Sequence, residues 1–172
     1  MIETLFPGLA ALPNVHPVLV HFPIAFFCGA LVMEGVAVLY SERLHLAATW
    51  MLYLGTLSAI VTLTTGFMAM NALVAAGPLG LSGPDHAHIH THRNWMVAGT
   101  LVAIVLALHV FWINRRQQWV SQRWRLLSGL VVLAALIALG ADRGARLVFE
   151  FGIGINPTVI KVTPQENIHG DH

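Results

Sequence analysis

Histidines are the residues of this sequence best able to do chemistry, and they form two groups. In "NVHPVLVHFPIAF", residues 14–26, His16 and His21 stand at the start of a long apolar run. In "DHAHIHTHRNW" four histidines alternate from His86 to His92, just before another apolar run. Imidazole nitrogens bind haem iron, copper and zinc, so both groups are candidate ligands. The elements that carry the histidines decide which of them can meet.

The composition indicates an integral membrane protein. Of 172 residues, 56% are hydrophobic and 10% are charged, and the mean hydropathy is +0.71. A bilayer core of about 30 Å takes about 20 apolar residues per helix, and four segments approach that length. The predicted fold is therefore an all-α bundle of four transmembrane helices, in a single domain over residues 1–172. The four predicted spans cover approximately residues 18–40, 46–72, 95–113 and 124–141.

The stretch after the fourth span carries a different pattern. Asp142, Arg143 and Arg146 interrupt the apolar run before "LVFEFGIGI" resumes it. This pattern predicts an interfacial helix or an extended C-terminal segment, not a fifth span. The N-terminal "MIETLFPGLAALP" has no basic residue ahead of an apolar core, so we expect no cleavable signal peptide.

The distribution of basic residues predicts the orientation. The connection "NRRQQWVSQRWR" between the third and fourth spans holds four of the nine basic residues, and Arg43 lies in the first connection. Short loops rich in arginine stay in the cytoplasm, so both termini are expected outside the cytoplasm. Both histidine groups then lie at the outer face. The net charge of +1 gives no reason to expect a nucleic-acid partner.

Two prolines shape the first histidine group. Pro17 suits the first turn of a helix, where its missing N–H is not needed. Pro23 lies within the helix and leaves the carbonyl of Leu19 without its usual donor. In a membrane that carbonyl needs a partner from a neighbouring helix or a buried water, so a site or a tight contact is expected there.

Three functional hypotheses follow. In the first, His21 and His92 are the axial ligands of a b-type haem between two helices. In the second, a copper or zinc ion is bound by outer-face histidines, with His16, His21, His88 and His92 as the candidate ligands. In the third, the chain is a structural accessory subunit whose histidines are satisfied by hydrogen bonds.

A haem also needs an apolar slot and cations for its propionates. Gly55 and Gly66 are eleven residues apart, close to three helical turns, and so share one face of the second span. That face suits a ring edge, although close helix packing is the alternative explanation for small residues in membranes. Arg93 and Trp95 are placed to meet propionates at the surface.

Two further residues lie outside the outer group. Glu34 falls deep in the first span, where a carboxyl group needs a partner or a proton. We expect it to be neutral and hydrogen-bonded to a facing helix, for instance to the one that carries Thr62, Thr64 and Thr65. His109 is expected to cap or hydrogen-bond near Trp112.

The motifs "HPVLVHFPIA" at residues 16–25, a histidine opening the third span, and "GARLVFEFGIGI" after the fourth resemble those of the DUF2231 family of small bacterial membrane proteins. The resemblance implies a bacterial inner-membrane protein whose motif histidines are His16, His21 and His92. Domains of that family also occur beside cytochrome c modules, which implies a redox role. The expected partners are the lipid bilayer, other membrane subunits and a periplasmic cytochrome, and an autonomous enzyme is not expected.

Overall fold

The structure, a computed structural model, describes residue 5 and residues 14–75 and 86–153. Its long elements are α-helices, and no strand occurs among these residues. A 3₁₀ turn at Glu42–Leu44 joins α2 to α3. The helices are α1 (His16–Leu19), α2 (His21–Leu39), α3 (His45–Ala75), α4 (His86–Arg115) and α5 (Trp119–Phe149).

The helices form a four-membered bundle of the kind that the hydropathy predicts. Counting α1 and α2 as one span, four spans are long and apolar enough to cross a membrane, which confirms the predicted class. Neighbours along the chain pack together, and α2 also packs against α5, which closes the ring. Apolar side chains fill the interior, among them Phe27, Ala30, Leu52, Ala103, Val110, Ile113, Leu126 and Leu133.

The surface of the bundle is as apolar as its interior. On α4, Leu101, Val105 and Leu108 are 58–64% exposed. A helix that is hydrophobic on all sides suits a lipid environment, because its outward side chains contact hydrocarbon instead of water.

The first span breaks where Pro23 requires it. Val20 separates α1 from α2, and the carbonyl of Leu19 accepts a hydrogen bond of 3.2 Å from the Thr62 hydroxyl of α3. The sequence predicted that this carbonyl would need a partner from a neighbouring helix, and the structure confirms it. This hydrogen bond joins the start of the first span to the C-terminal half of α3.

Two spans are longer than predicted. The alternating histidines belong to α4, which begins at His86. The last helix, α5, continues to Phe149, so placing Leu147–Phe149 in a separate segment was wrong. Arg146 bridges to Glu150 one turn later (Nε to Oε2, 2.6 Å), and such pairs support a helix beyond the apolar core. The rest of the expected C-terminal segment, residues 154–172, lies outside the described residues.

Candidate functional site

His16 is fixed against α3 by a hydrogen bond to the backbone. Its Nδ1 lies 3.1 Å from the carbonyl oxygen of Thr62 and 3.3 Å from the hydroxyl of Thr65. Gly66, one turn after Thr62, makes room for the ring, since a Cβ at that position would lie 2.9 Å from His16 Cε1. A carbonyl only accepts hydrogen bonds, so the proton of the ring is on Nδ1.

His92 is held in the same way against α5. Its Nδ1 donates to the carbonyl oxygen of Gly140 at 2.9 Å. Gly144, again one turn later, makes room for the ring, because a Cβ there would lie 2.8 Å from His92 Cε1. The two halves of the chain therefore repeat one arrangement. In each, a histidine at the start of a helical hairpin bonds to a backbone carbonyl in the C-terminal half of the second helix.

Both histidines keep their second nitrogen available. Within the described part of the chain no hydrogen bond involves Nε2 of either ring, and neither atom is sealed off by its surroundings. With the proton held on Nδ1, Nε2 carries a lone pair. A hydrogen bond from Nδ1 to a backbone carbonyl is the usual way in which proteins orient a histidine that binds a metal.

A cavity of about 400 Å³ lies between the helices at this end of the bundle, which we call the cavity end. His16 and His92 both line it, and the remaining walls are mostly apolar. Its volume lies within the range of about 300–1,000 Å³ that small-molecule and cofactor pockets occupy. Among its other lining residues are Pro23, Ile24, Ala59, Leu63, Gly66, Arg93, Met96, Ile137, Gly144 and Val148.

The other predicted site residues are distributed unevenly around this cavity. His21 is exposed, its Nδ1 lies 3.2 Å from the carbonyl oxygen of Val18, and it does not line the cavity. Gly66 and Arg93 do line it. The Arg93 guanidinium donates to Asn94 through Nε and Nη2.

Gly55 and His88 lie elsewhere. Gly55 accommodates Phe27, since a Cβ on Gly55 would lie 2.7 Å from that ring, which is close helix packing. His88 stacks on Phe151 with ring centroids 5.2 Å apart and is not among the residues that line the cavity. Across residues 14–75 and 86–153, no three His, Cys, Asp or Glu side chains are grouped closely enough to share a metal ion.

Comparison with known proteins agrees with this architecture. A family model described as "Predicted membrane protein (DUF2231)" matches residues 12–157, a stretch that includes both histidine contacts and all four spans. The chain belongs to the DUF2231 family. No curated protein and no solved structure matches it.

This DUF2231 protein has a second polar cluster at the opposite end of its bundle. Glu34 of α2 is fully buried, and both of its carboxylate oxygens are paired. Oε2 lies 2.7 Å from His45 Nδ1, and Oε1 accepts a 2.7 Å bond from Trp119 Nε1. His45 Nε2 lies 2.9 Å from Asn114 Oδ1, and the Asn114 amide donates to Thr49. We call these residues the Glu34 cluster.

The hydrogen bonds of the Glu34 cluster join α2, α3, α4 and α5, and every member bonds to at least one other member. The expected bond to a facing helix is confirmed, since His45 belongs to α3, the helix that carries the threonines, and Trp119 of α5 is a second partner. Both partners stand in the first turn of their helices, and their positions beside short loops at one end of the bundle were the available signal. His109 stacks on Trp112 with centroids 6.4 Å apart, which confirms the expected proximity.

The two glycine contacts give a direct prediction for this DUF2231 protein. Gly66→Ala or Gly144→Ala should displace the facing histidine ring, since the new Cβ would lie within 3.0 Å of it. Overpacking of this kind costs about 1–3 kcal/mol of unfolding free energy. Denaturant titration of the detergent-solubilised variants measures that cost.

Gly35→Ala is the matched control, because its Cβ would meet only Leu127 Cδ1 at 4.0 Å, an ordinary contact. If all three alanine variants proved equally stable, the close approach of the rings to Gly66 and Gly144 would be contradicted.

Proposed function

We propose that the protein holds one b-type haem in the cavity, with His16 and His92 as its two axial ligands, and that it transfers electrons within the membrane. One observation carries the proposal: two histidines from different hairpins line one apolar cavity, and each has its Nδ1 bonded to a backbone carbonyl and its Nε2 without a hydrogen-bond partner among the described residues. This pair replaces the pair His21 and His92 that the sequence suggested, since His21 does not line the cavity.

The residues present fit such a group. The cavity is apolar, as the faces of a porphyrin require, and Gly66 and Gly144 let the two imidazoles lie close to their helices. Arg93 lines the cavity close to the start of α4 and retains an N–H-bearing nitrogen, Nη1, that no Asn94 bond uses. A guanidinium there suits a carboxylate, in agreement with the role that the sequence predicted for Arg93.

The number of ligands favours haem over a copper or zinc ion bound by protein alone. Structural zinc sites use four protein ligands and catalytic ones three. The porphyrin of a haem supplies four nitrogen ligands to the iron, so the protein needs to supply only two. The described residues offer two histidines in one cavity and no group of three potential ligands. The structural-subunit hypothesis has less support, since within residues 14–75 and 86–153 hydrogen bonds satisfy only one nitrogen of the His16 ring and one of the His92 ring.

Bound between two imidazoles, haem iron supplies one-electron exchange between its ferric and ferrous forms. The contributions of the chain are to orient both rings through the carbonyls of Thr62 and Gly140 and to surround the cavity with apolar side chains. No acid or base is required for such a transfer. We further propose that the partners are other membrane subunits and a periplasmic cytochrome, and that the protein lies in the bacterial inner membrane with both termini periplasmic.

A reduced-minus-oxidised absorbance spectrum of the purified full chain tests the proposal. We expect the bands of a low-spin b-type haem at about one haem per chain, after expression with adequate haem supply. Haem extraction and metal analysis of the same sample provide the stoichiometry. A colourless protein with stoichiometric copper or zinc would overturn the proposal, and a colourless protein without metal would favour a structural subunit.

A further inference from the structure

A second cavity, of about 270 Å³, lies between α4 and α5 at the cavity end. Only Leu147 lines both cavities. The walls of the second cavity are about half polar and half apolar, and we call it the arginine groove. Its lining consists of His88 and Thr91 from α4, and Asp142, Arg143, Arg146 and Leu147 from α5. The haem proposal uses none of its polar residues.

The two arginines are fixed in place while keeping free donors. Arg143 stacks over Trp95, with its guanidinium carbon 4.9 Å from the ring centroid, and its Nη1 donates to the Leu139 carbonyl at 2.7 Å. Arg146 uses Nε for its bond to Glu150. An arginine has five N–H groups, so each guanidinium retains several for a ligand.

The charge of the groove suits a single anion. Arg143 and Arg146 contribute two positive charges, and Asp142 contributes one negative charge. The Asp142 side chain is 81% exposed and lies 3.8 Å from Arg143 Nη1, so water screens much of its effect. Glu150, bonded to Arg146, is also exposed. The lining therefore carries a net charge of +1, and His88 adds a hydrogen-bonding group, whereas the Thr91 hydroxyl already donates to the Ala87 carbonyl at 2.7 Å.

The groove lies at the depth of lipid headgroups. Tryptophans concentrate at the membrane interface, and Trp95 is the ring on which Arg143 rests. Further along each helix toward the centre of the bundle, Leu139 and Leu101 are 43% and 58% exposed. A ligand with an anionic head in the groove would therefore place its apolar part along lipid-facing side chains.

We propose that the arginine groove binds the phosphate of an anionic phospholipid, with Arg143 and Arg146 as the principal donors. A phosphodiester carries one negative charge and several acceptor oxygens, which match the net charge and the free guanidinium N–H groups. Basic pockets between transmembrane helices are a recognised kind of lipid headgroup site. This inference is independent of the haem proposal.

Lipid titration followed by native mass spectrometry tests this site on the full chain in detergent. We expect phosphatidylglycerol to bind more tightly than phosphatidylcholine, and the double variant Arg143→Gln, Arg146→Gln to weaken phosphatidylglycerol binding at least about tenfold. Asp142→Asn should strengthen it, because it removes a negative charge from the groove. Circular dichroism shows whether each variant remains folded.

The matched control is Arg115→Gln, Arg116→Gln at the opposite end of α4. These arginines also lie over aromatic rings, Phe111 and Trp112, at 5.8 and 5.4 Å. The control should bind phosphatidylglycerol like the unmodified protein. Equal binding of the two lipids, equal losses in the two double variants, or weaker binding by Asp142→Asn would each overturn the proposal. So would competition by millimolar inorganic phosphate that displaces the lipid completely, since that would indicate a site for free phosphate.

Discussion

Replacing either His16 or His92 with alanine is expected to abolish the low-spin haem spectrum, whereas replacing His21 should leave it intact. The first two histidines line the cavity, their Nε2 atoms have no hydrogen-bond partner in the described part of the chain, and His21 does not line the cavity. Haem retained by each of the first two variants should fall at least about tenfold, since even supporting residues around a metal cost that much when lost. The measurement is the haem-to-protein ratio of the purified variants.

Helical content and elution volume of the three variants control for misfolding. His16 and His92 are only half-buried and His21 is exposed, so the loss of any one of them removes little core packing and the bundle should insert normally. Loss of the spectrum in His21→Ala together with its retention in His16→Ala would contradict the assigned pair. That result would restore the pair that the sequence favoured.

Glu34→Ala is expected to have the largest effect on stability, about 3–5 kcal/mol of unfolding free energy. The carboxylate is fully buried, and its removal leaves His45 Nδ1 and Trp119 Nε1 without their acceptor in the interior. Glu42→Ala provides the comparison, since Glu42 is exposed in the short turn between α2 and α3, and it should change stability by less than about 0.5 kcal/mol.

A double-mutant cycle separates the pair from the rest of the cluster. The double variant Glu34→Ala, His45→Ala should lose clearly less unfolding free energy than the sum of the losses in the two single variants. Each single change leaves the other residue of the pair without its hydrogen-bond partner, whereas the double change removes both. Titration of the unfolded fraction with sodium dodecyl sulfate in mixed micelles provides the free energies. Additive losses would show that Glu34 and His45 do not interact, and a Glu34→Ala variant as stable as Glu42→Ala would show that Glu34 does not stabilise the fold.

The fold was predictable because it depends on properties that are local in the sequence. Runs of about 20 apolar residues specify a span wherever they occur. The consequence of Pro23 was equally local, since its missing N–H leaves the Leu19 carbonyl in need of a donor, and Thr62 supplies one. The extension of α5 past Asp142 was missed because hydropathy does not register the Arg146–Glu150 pair that supports the helix there.

The choice between His16 and His21 depended on distant residues. The two lie five positions apart, and both stand near Pro23. What distinguishes them is that a carbonyl of α3 and a glycine one turn later approach His16, 46 residues away along the chain. The same arrangement, an accepting carbonyl with a glycine four residues later, occurs in the structure at Gly140 and Gly144, and in the sequence only the two glycines marked it.

Glu34 was recognisable as a residue that needs a partner, but its partners were not. His45 and Trp119 lie 11 and 85 residues away in the sequence. Only the order of the helices around the ring places them beside α2. Pairings of this kind depend on how the spans assemble, which hydropathy does not encode.

Each of the two hairpins contributes one histidine, held in the same way, to the cavity that they share. The first hairpin supplies His16 together with its support on α3, and the second supplies His92 together with its support on α5. Neither hairpin supplies both histidines, so a ligand that both Nε2 atoms held would link the two hairpins to each other. The free energy of binding such a ligand would then stabilise the packing of one hairpin against the other, at the end of the bundle farthest from the Glu34 cluster. The apoprotein should accordingly loosen between its halves before either hairpin opens.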